Sequence, residues 1–148
     1  MAREVALNMR STVNPEPSIF IGRKSHRIDG VEHFAEVAIN ARPTQGDASV
    51  IFSLEAIADL TSEFNNDADY QKHNISSIIL SQIDSATRWL IINKRFSSIC
   101  FEVTIARVRI SHCNYNYDRK LYMFLLSGSA GDAFDSFLDS WYASQTIL

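Results

Sequence analysis

Between residues 70 and 94 apolar side chains recur with the period of a helix, and in the segments on either side they recur at every second residue. Ile75, Ile78, Ile79, Ile83, Ala86 and Leu90 form one stripe, and Lys94 with Arg95 suits the negative C-terminal end of such a helix. Residues 101–110 alternate and are rich in β-branched and aromatic types. So do residues 34–42, where Ala35, Val37, Ile39 and Ala41 share a face. A helix with one apolar stripe and strands with one apolar face satisfy each other by stacking in two layers.

The remaining elements follow from the same periodicities. Val5, Leu7 and Met9 alternate with polar residues and predict an N-terminal strand over about 4–13, which the prolines at 15 and 17 end. Residues 22–32 read as an exposed loop carrying Arg23, Lys24, His26 and Arg27. Residues 43–47 read as a turn and 48–53 as a returning strand, so that 34–42 and 48–53 form a β-hairpin. Leu54, Ile57, Ala58 and Leu60 suggest a short helix over 54–64. Residues 121–126 read as a strand. Ala130, Ala133, Phe134, Phe137, Leu138 and Trp141 predict a final helix, capped by Ser129 with Asp132 three residues on. The expected fold is α+β, a two-layer sandwich of a mostly antiparallel sheet with both helices on one face. The 148 residues make a single domain.

Composition bounds the function. Apolar residues make up 46% and charged ones 21%, which excludes intrinsic disorder. Fourteen Lys and Arg against 17 Asp and Glu give a net charge of -3, the wrong sign for a broadly basic nucleic-acid binder. No apolar run approaches the roughly 18 residues of a membrane span, and no signal peptide is visible, so a cytoplasmic location is expected. Cys100 and Cys113 bracket an extended run that holds them too far apart for a disulfide, and both are read as free thiols.

No motif supports an enzyme. Gly22-Arg23-Lys24-Ser25 lacks the glycines that let a phosphate-binding loop close around its ligand. Ser127-Gly128-Ser129-Ala130-Gly131 resembles a nucleophile elbow, yet no histidine follows Ser129 and the hydrolase order of serine, acid and histidine is unattainable. His26, His33, His73 and His112 show no metal-ligand spacing, and His33 and Glu36 read as the exposed side of a strand. Trp89, Phe137 and Trp141 read as core. Arg107 and Arg109, two apart on a strand, fall on one sheet face, where they either grip phosphate or sit on the wet side. No cofactor is expected.

Two stretches together resemble domain IV of the translational GTPase elongation factor G. His33-Phe34-Ala35-Glu36-Val37-Ala38-Ile39-Asn40-Ala41-Arg42-Pro43 is similar to the family strand that follows a glycine- and arginine-rich loop. Phe101-Glu102-Val103-Thr104-Ile105-Ala106-Arg107-Val108-Arg109-Ile110, continuing through Tyr115 to Leu126 and the last helix, resembles the family's strand after its long helix, its tip loop, and the strand and alanine-rich helix beyond. The likeness covers about residues 18–142. It implies a ribosomal protein S5 domain 2-like fold with that superfamily's left-handed strand–helix–strand crossover. It also implies contact with ribosomal or other RNA through two tip loops, here residues 27–33 and 112–118. The family's Gly-Gly-Arg-Gly is reduced to Gly30-Val31-Glu32, and its tip histidine falls on Asn116, although Tyr115 keeps the preceding aromatic. Nothing in the 148 residues resembles the nucleotide-hydrolysing domain. The candidate contact residues are therefore Arg23, Lys24, Arg27, Arg107, Arg109, Tyr115, Asn116, Arg119 and Lys120. The alternative is a protein-interaction module with no RNA role, forming a homo-oligomer through its N-terminal strand.

Overall fold

A computed structural model describes residues 18–57, 75–94, 99–111 and 119–146. In chain order the elements are β1 (Phe20–Ile28), β2 (Val31–Thr44), β3 (Ser49–Phe52), α1 (Ile75–Lys94), β4 (Cys100–Ile110) and α2 (Arg119–Thr146). The sheet order is β1-β2-β4-β3. The first two pairings are antiparallel and β3 runs parallel to β4. Both helices pack on one face, so the fold is α+β. The core lies between that face and the helices: Phe101 on β4 meets Phe134, Phe137 and Trp141 of α2 edge-on, with ring centroids 5.3 to 5.9 Å apart.

The expected hairpin of 34–42 with 48–53 is not formed. Instead β4 lies against β2 from Ala35 to Thr44, and β3 is displaced to the outer side of β4. A turn between two strands shows that the chain reverses, but not which strand it then pairs with. The actual hairpin joins β1 to β2, so residues 22–32 are not a loop. Asp29 and Gly30 form its turn, with φ of 52° and 79°. Positive φ at both central positions is the two-residue turn that Asp-Gly favours, because its twist matches that of the strands it joins. The segment is polar because β1 is an edge strand with only Gly22 fully buried.

Residues 121–126 are helical, not extended, and α2 is one helix of 28 residues. Its buried positions are Tyr122, Leu125, Leu126, Ser129, Ala130, Ala133, Phe134, Phe137 and Leu138, an unbroken three-four spacing. Ser129 is therefore no N-cap. It sits mid-helix, fully buried, where its hydroxyl lies 2.7 Å from the carbonyl oxygens of both Ala35 and Leu125 and accepts the Lys24 amide at 3.1 Å. Lys24 and Ala35 are opposite each other in the β1–β2 pairing, so the hydroxyl ties α2 to both strands at this point.

Strand β4 carries a bulge. The register moves from Ala38–Arg107 to Ile39–Ile105, which leaves Ala106 unopposed by any β2 residue. Its carbonyl accepts the Ser53 hydroxyl at 2.9 Å, and Ser53 Oγ in turn accepts the Ala56 amide at 3.1 Å to cap the helical turn at 54–57. The bulge has a clear consequence. Phe101, Val103 and Ile105 face the core, and strict alternation would send Arg107 after them. The extra residue turns Arg107 and Arg109 outward, on either side of buried Val108. In α1 the buried residues are Ile79, Ile83, Thr87, Leu90 and Ile91, while Ile78 and Trp89 are exposed. Trp89 is thus not core, because the sheet lies on the opposite side of its helix. Cys100 is a buried free thiol, and Cys113 lies outside the described residues, as does the expected N-terminal strand. No helix among the described residues is long and apolar enough to cross a membrane.

Candidate nucleic-acid interface

The β1–β2 hairpin projects past the end of its neighbour. Ala35 is opposite Ile110, the last residue of β4, whereas His26, Arg27 and Ile28 pair with His33, Glu32 and Val31 beyond it. Three further pairs carry the turn about 10 Å out. The chain leaves for residues 112–118 from Ser111, which is held against Phe34. The Ser111 amide donates to the Phe34 carbonyl at 3.0 Å, and the Phe34 amide donates to Ser111 Oγ at 2.9 Å. The chain returns at Arg119, three residues before Tyr122. The hairpin, the departure point of 112–118 and the start of α2 therefore share one end of the sheet.

A buried polar chain ties these pieces together. Tyr122 is fully buried, and its hydroxyl lies 2.6 Å from Ser111 Oγ and 3.1 Å from His33 Nδ1. Ser111 Oγ accepts the Phe34 amide, and the Ser111 hydroxyl, the Tyr122 hydroxyl and His33 Nδ1 form a continuous hydrogen-bonded chain. His33 is accordingly half-buried on the helix-facing side of β2, not on its exposed side. Alternation alone placed the residue but could not supply Tyr122, 89 positions away in sequence.

The candidate basic residues, compared with Arg42, which is not among them, divide into two groups. Arg23 lies over the Phe34 ring at 4.0 Å and reaches Glu36 at 3.3 Å and Glu32 at 3.9 Å. Lys24 faces the helices and pairs with Asp132 at 3.3 Å. Arg42, at the far end of β2, pairs with Glu102 at 2.6 Å. Their charges are locally balanced. In the second group, Arg27 donates to the Gly30 carbonyl at 2.9 Å across its own turn and has no carboxylate partner among the described residues. Neither Arg109 nor Lys120 has an ion pair among the described residues, and both are exposed.

No known protein family, curated protein or solved structure matches this chain. The site is read on its own residues.

Arg27 and Arg109 project from the sheet face opposite the helices, and Lys120 extends from the first turn of α2 at the same end of the sheet. Arg107 shares the open face with Arg109 but lies two pairings closer to the middle. Arg119 is the first residue of α2, which carries no acidic residue in its first turn. Tyr115 and Asn116 lie outside the described residues. The sequence reading missed the projecting hairpin and the His33–Tyr122–Ser111 chain. The Asp29-Gly30 dipeptide was a usable signal for the first.

Among the described residues no group of His, Cys, Asp and Glu is placed to hold a metal ion. Ser129 cannot serve as a nucleophile in this fold, because its hydroxyl is buried and committed to backbone partners.

Proposed function

We propose that this chain is a non-enzymatic binding module, similar to domain IV of elongation factor G, that contacts ribosomal or other RNA through the hairpin end of its sheet. The observation that carries this reading is the distribution of cations that make no ion pair, since Glu32 and Glu36, opposite Arg27 and Arg109 in the sheet, are both engaged by Arg23. Arg27, Arg109 and Lys120, cations with no carboxylate partner among the described residues, lie in the half of the molecule that holds the hairpin and the departure of 112–118. A projecting finger with one cation beside its turn and others near its base suits the phosphate backbone of a folded RNA, which supplies most of the affinity in such contacts. The parallel pairing of β3 with β4 through α1 supports the S5 domain 2-like reading, since that fold contains a strand–helix–strand crossover. The net charge of -3 restricts RNA contact to this local patch.

The test is fluorescence anisotropy with labelled ribosomal RNA fragments, and co-sedimentation with ribosomal subunits, at low and moderate salt. Three phosphate contacts predict an affinity loss of about 20- to 40-fold between 50 and 200 mM salt. Absence of binding, or binding indifferent to salt, overturns the reading.

A second reading, a protein-interaction module with no RNA role, is favoured by a different feature. Trp89 and Phe124 are 62% and 70% exposed on the outer surface of the two helices. Large aromatic side chains left open to water mark surfaces that other proteins cover.

A further inference from the structure

We propose that the open face of the sheet takes an unpaired stretch of RNA, with one base lying flat on the Arg23 guanidinium above Phe34. The proposal rests on the RNA reading and narrows it, from RNA in general to RNA whose bases are out of their stack.

The platform is built by β1 and β2. Arg23 and Phe34 lie on the face away from the helices, since their neighbours Gly22 and Ala35 are buried on the other. Arg23 is opposite Glu36 in the register and Phe34 is opposite Ser25, so the arginine crosses diagonally to reach the ring. Its Cζ stands 4.0 Å from the ring centre, too close for a base to enter between them. What a base meets is the outer surface of the guanidinium. That group is held by its edge, with Nη1 3.3 Å from Glu36 and Nη2 3.9 Å from Glu32. All the donors of a guanidinium lie in its plane, so the two carboxylates leave the flat face open, and the side chain is 46% exposed. Phe34 is fixed as firmly, because its amide and its carbonyl are both bonded to Ser111. Parts already held in place need little ordering when a ligand binds.

Charge then separates Arg23 from its neighbours. With two carboxylates on its edge, Arg23 is a poor partner for phosphate. Arg27 and Arg109 make no ion pair among the described residues and share the same face. Arg27 is four residues further along β1, about 13 Å away. Arg109 lies two strands over, beyond Glu36, at about 10 Å. A flat cation with its charge matched thus sits between two cations whose charges are not. That is the arrangement for a base on the platform and backbone phosphates to either side. Unpaired bases stack on arginine planes and aromatic rings, a contact that every base can make. Glu32 and Glu36 repel phosphate from the platform itself and so direct the backbone toward Arg27 and Arg109. Bases inside a duplex are covered on both faces and offer nothing to stack.

Fluorescence anisotropy on the full chain compares a labelled RNA single strand of about ten nucleotides with the same strand annealed to its complement, at one salt concentration. The single strand is expected to bind about tenfold or more tightly than the duplex. Arg23→Lys keeps the charge and removes the flat surface. It is expected to weaken single-strand binding about fivefold or more, and to leave duplex affinity and the salt dependence unchanged. Circular dichroism confirms that the variant is folded. A duplex bound as tightly as the single strand overturns the proposal and leaves the RNA reading standing, as does a single-strand affinity that Arg23→Lys does not alter. Absence of binding to either RNA overturns both.

Discussion

Gly22 on β1 and Ser129 on α2 meet backbone to backbone: a Cβ placed on Gly22 would stand 1.8 Å from the Ser129 carbonyl oxygen and 2.6 Å from the Ala133 amide nitrogen. Nothing at this contact is the end of a flexible side chain, so neither wall can yield locally. The closeness also lets the Lys24 amide reach Ser129 Oγ and lets that hydroxyl reach across to Ala35.

Gly22→Ala is expected to lower stability by about 3 kcal/mol or more, since overpacking against rigid backbone lies at the severe end of such substitutions. Urea denaturation followed by circular dichroism gives the value. A loss under about 1 kcal/mol would show that helix and strand can part at little cost.

Gly131, nine residues after Tyr122 on the same helix, makes the opposite case. A Cβ there meets only Leu90 Cδ1, at 4.0 Å, an ordinary contact. Gly131→Ala is expected to raise stability by about 0.8 kcal/mol, from the lower entropy cost of alanine in a helix. The midpoint of the same urea transition should move up.

Thr87 is 1% exposed, and its Oγ1 has no hydrogen-bond partner among the described residues. An unsatisfied buried hydroxyl carries a desolvation penalty that a methyl group does not. Thr87→Val keeps the branched shape and is expected to stabilise the protein by about 1 kcal/mol. A destabilised variant would show that the hydroxyl has a partner in the folded protein.

Tyr122→Phe removes the hydroxyl that joins Ser111 to His33 and leaves two polar groups facing a ring edge. The expected cost is about 1–2 kcal/mol, read by thermal or urea denaturation. Because the network anchors the hairpin to Ser111, amide hydrogen exchange should quicken at residues 33 and 34 before it does elsewhere in β2.

Arg27→Ala and Arg109→Ala are each expected to lower RNA affinity and to reduce the slope of log affinity against log salt by about 1. Arg42→Ala, in a charge pair at the far end of β2, should leave both unchanged. Equal losses at all three positions would point to general electrostatic attraction rather than to a site.

Local patterning determined much of this molecule. The helix ending at Lys94, the strand over 101–110 and the common face of Arg107 and Arg109 follow from periodicities that neighbouring residues set among themselves, whereas the bulge at Ala106 turns that face outward. The two-layer class follows from the same periodicities, since amphipathic helices and one-faced strands satisfy each other by stacking. Tertiary structure decided what depends on partners distant in the chain. Residues 121–126 are a short continuous apolar run that fits a buried strand as well as a helix. They become helix because the positions from Tyr122 to Leu138 must meet the sheet at helical spacing. The insertion of β4 between β2 and β3 is a choice among strand edges, which no turn encodes. Arg23, Lys24 and Arg42 look as available as Arg27 and Arg109 in sequence. Only folding sets Glu32, Glu36, Asp132 and Glu102 beside the first three and leaves the last two with no carboxylate partner among the described residues. Periodicity is a local property and charge balance is a spatial one, so the elements were legible in the sequence and the candidate site only in part.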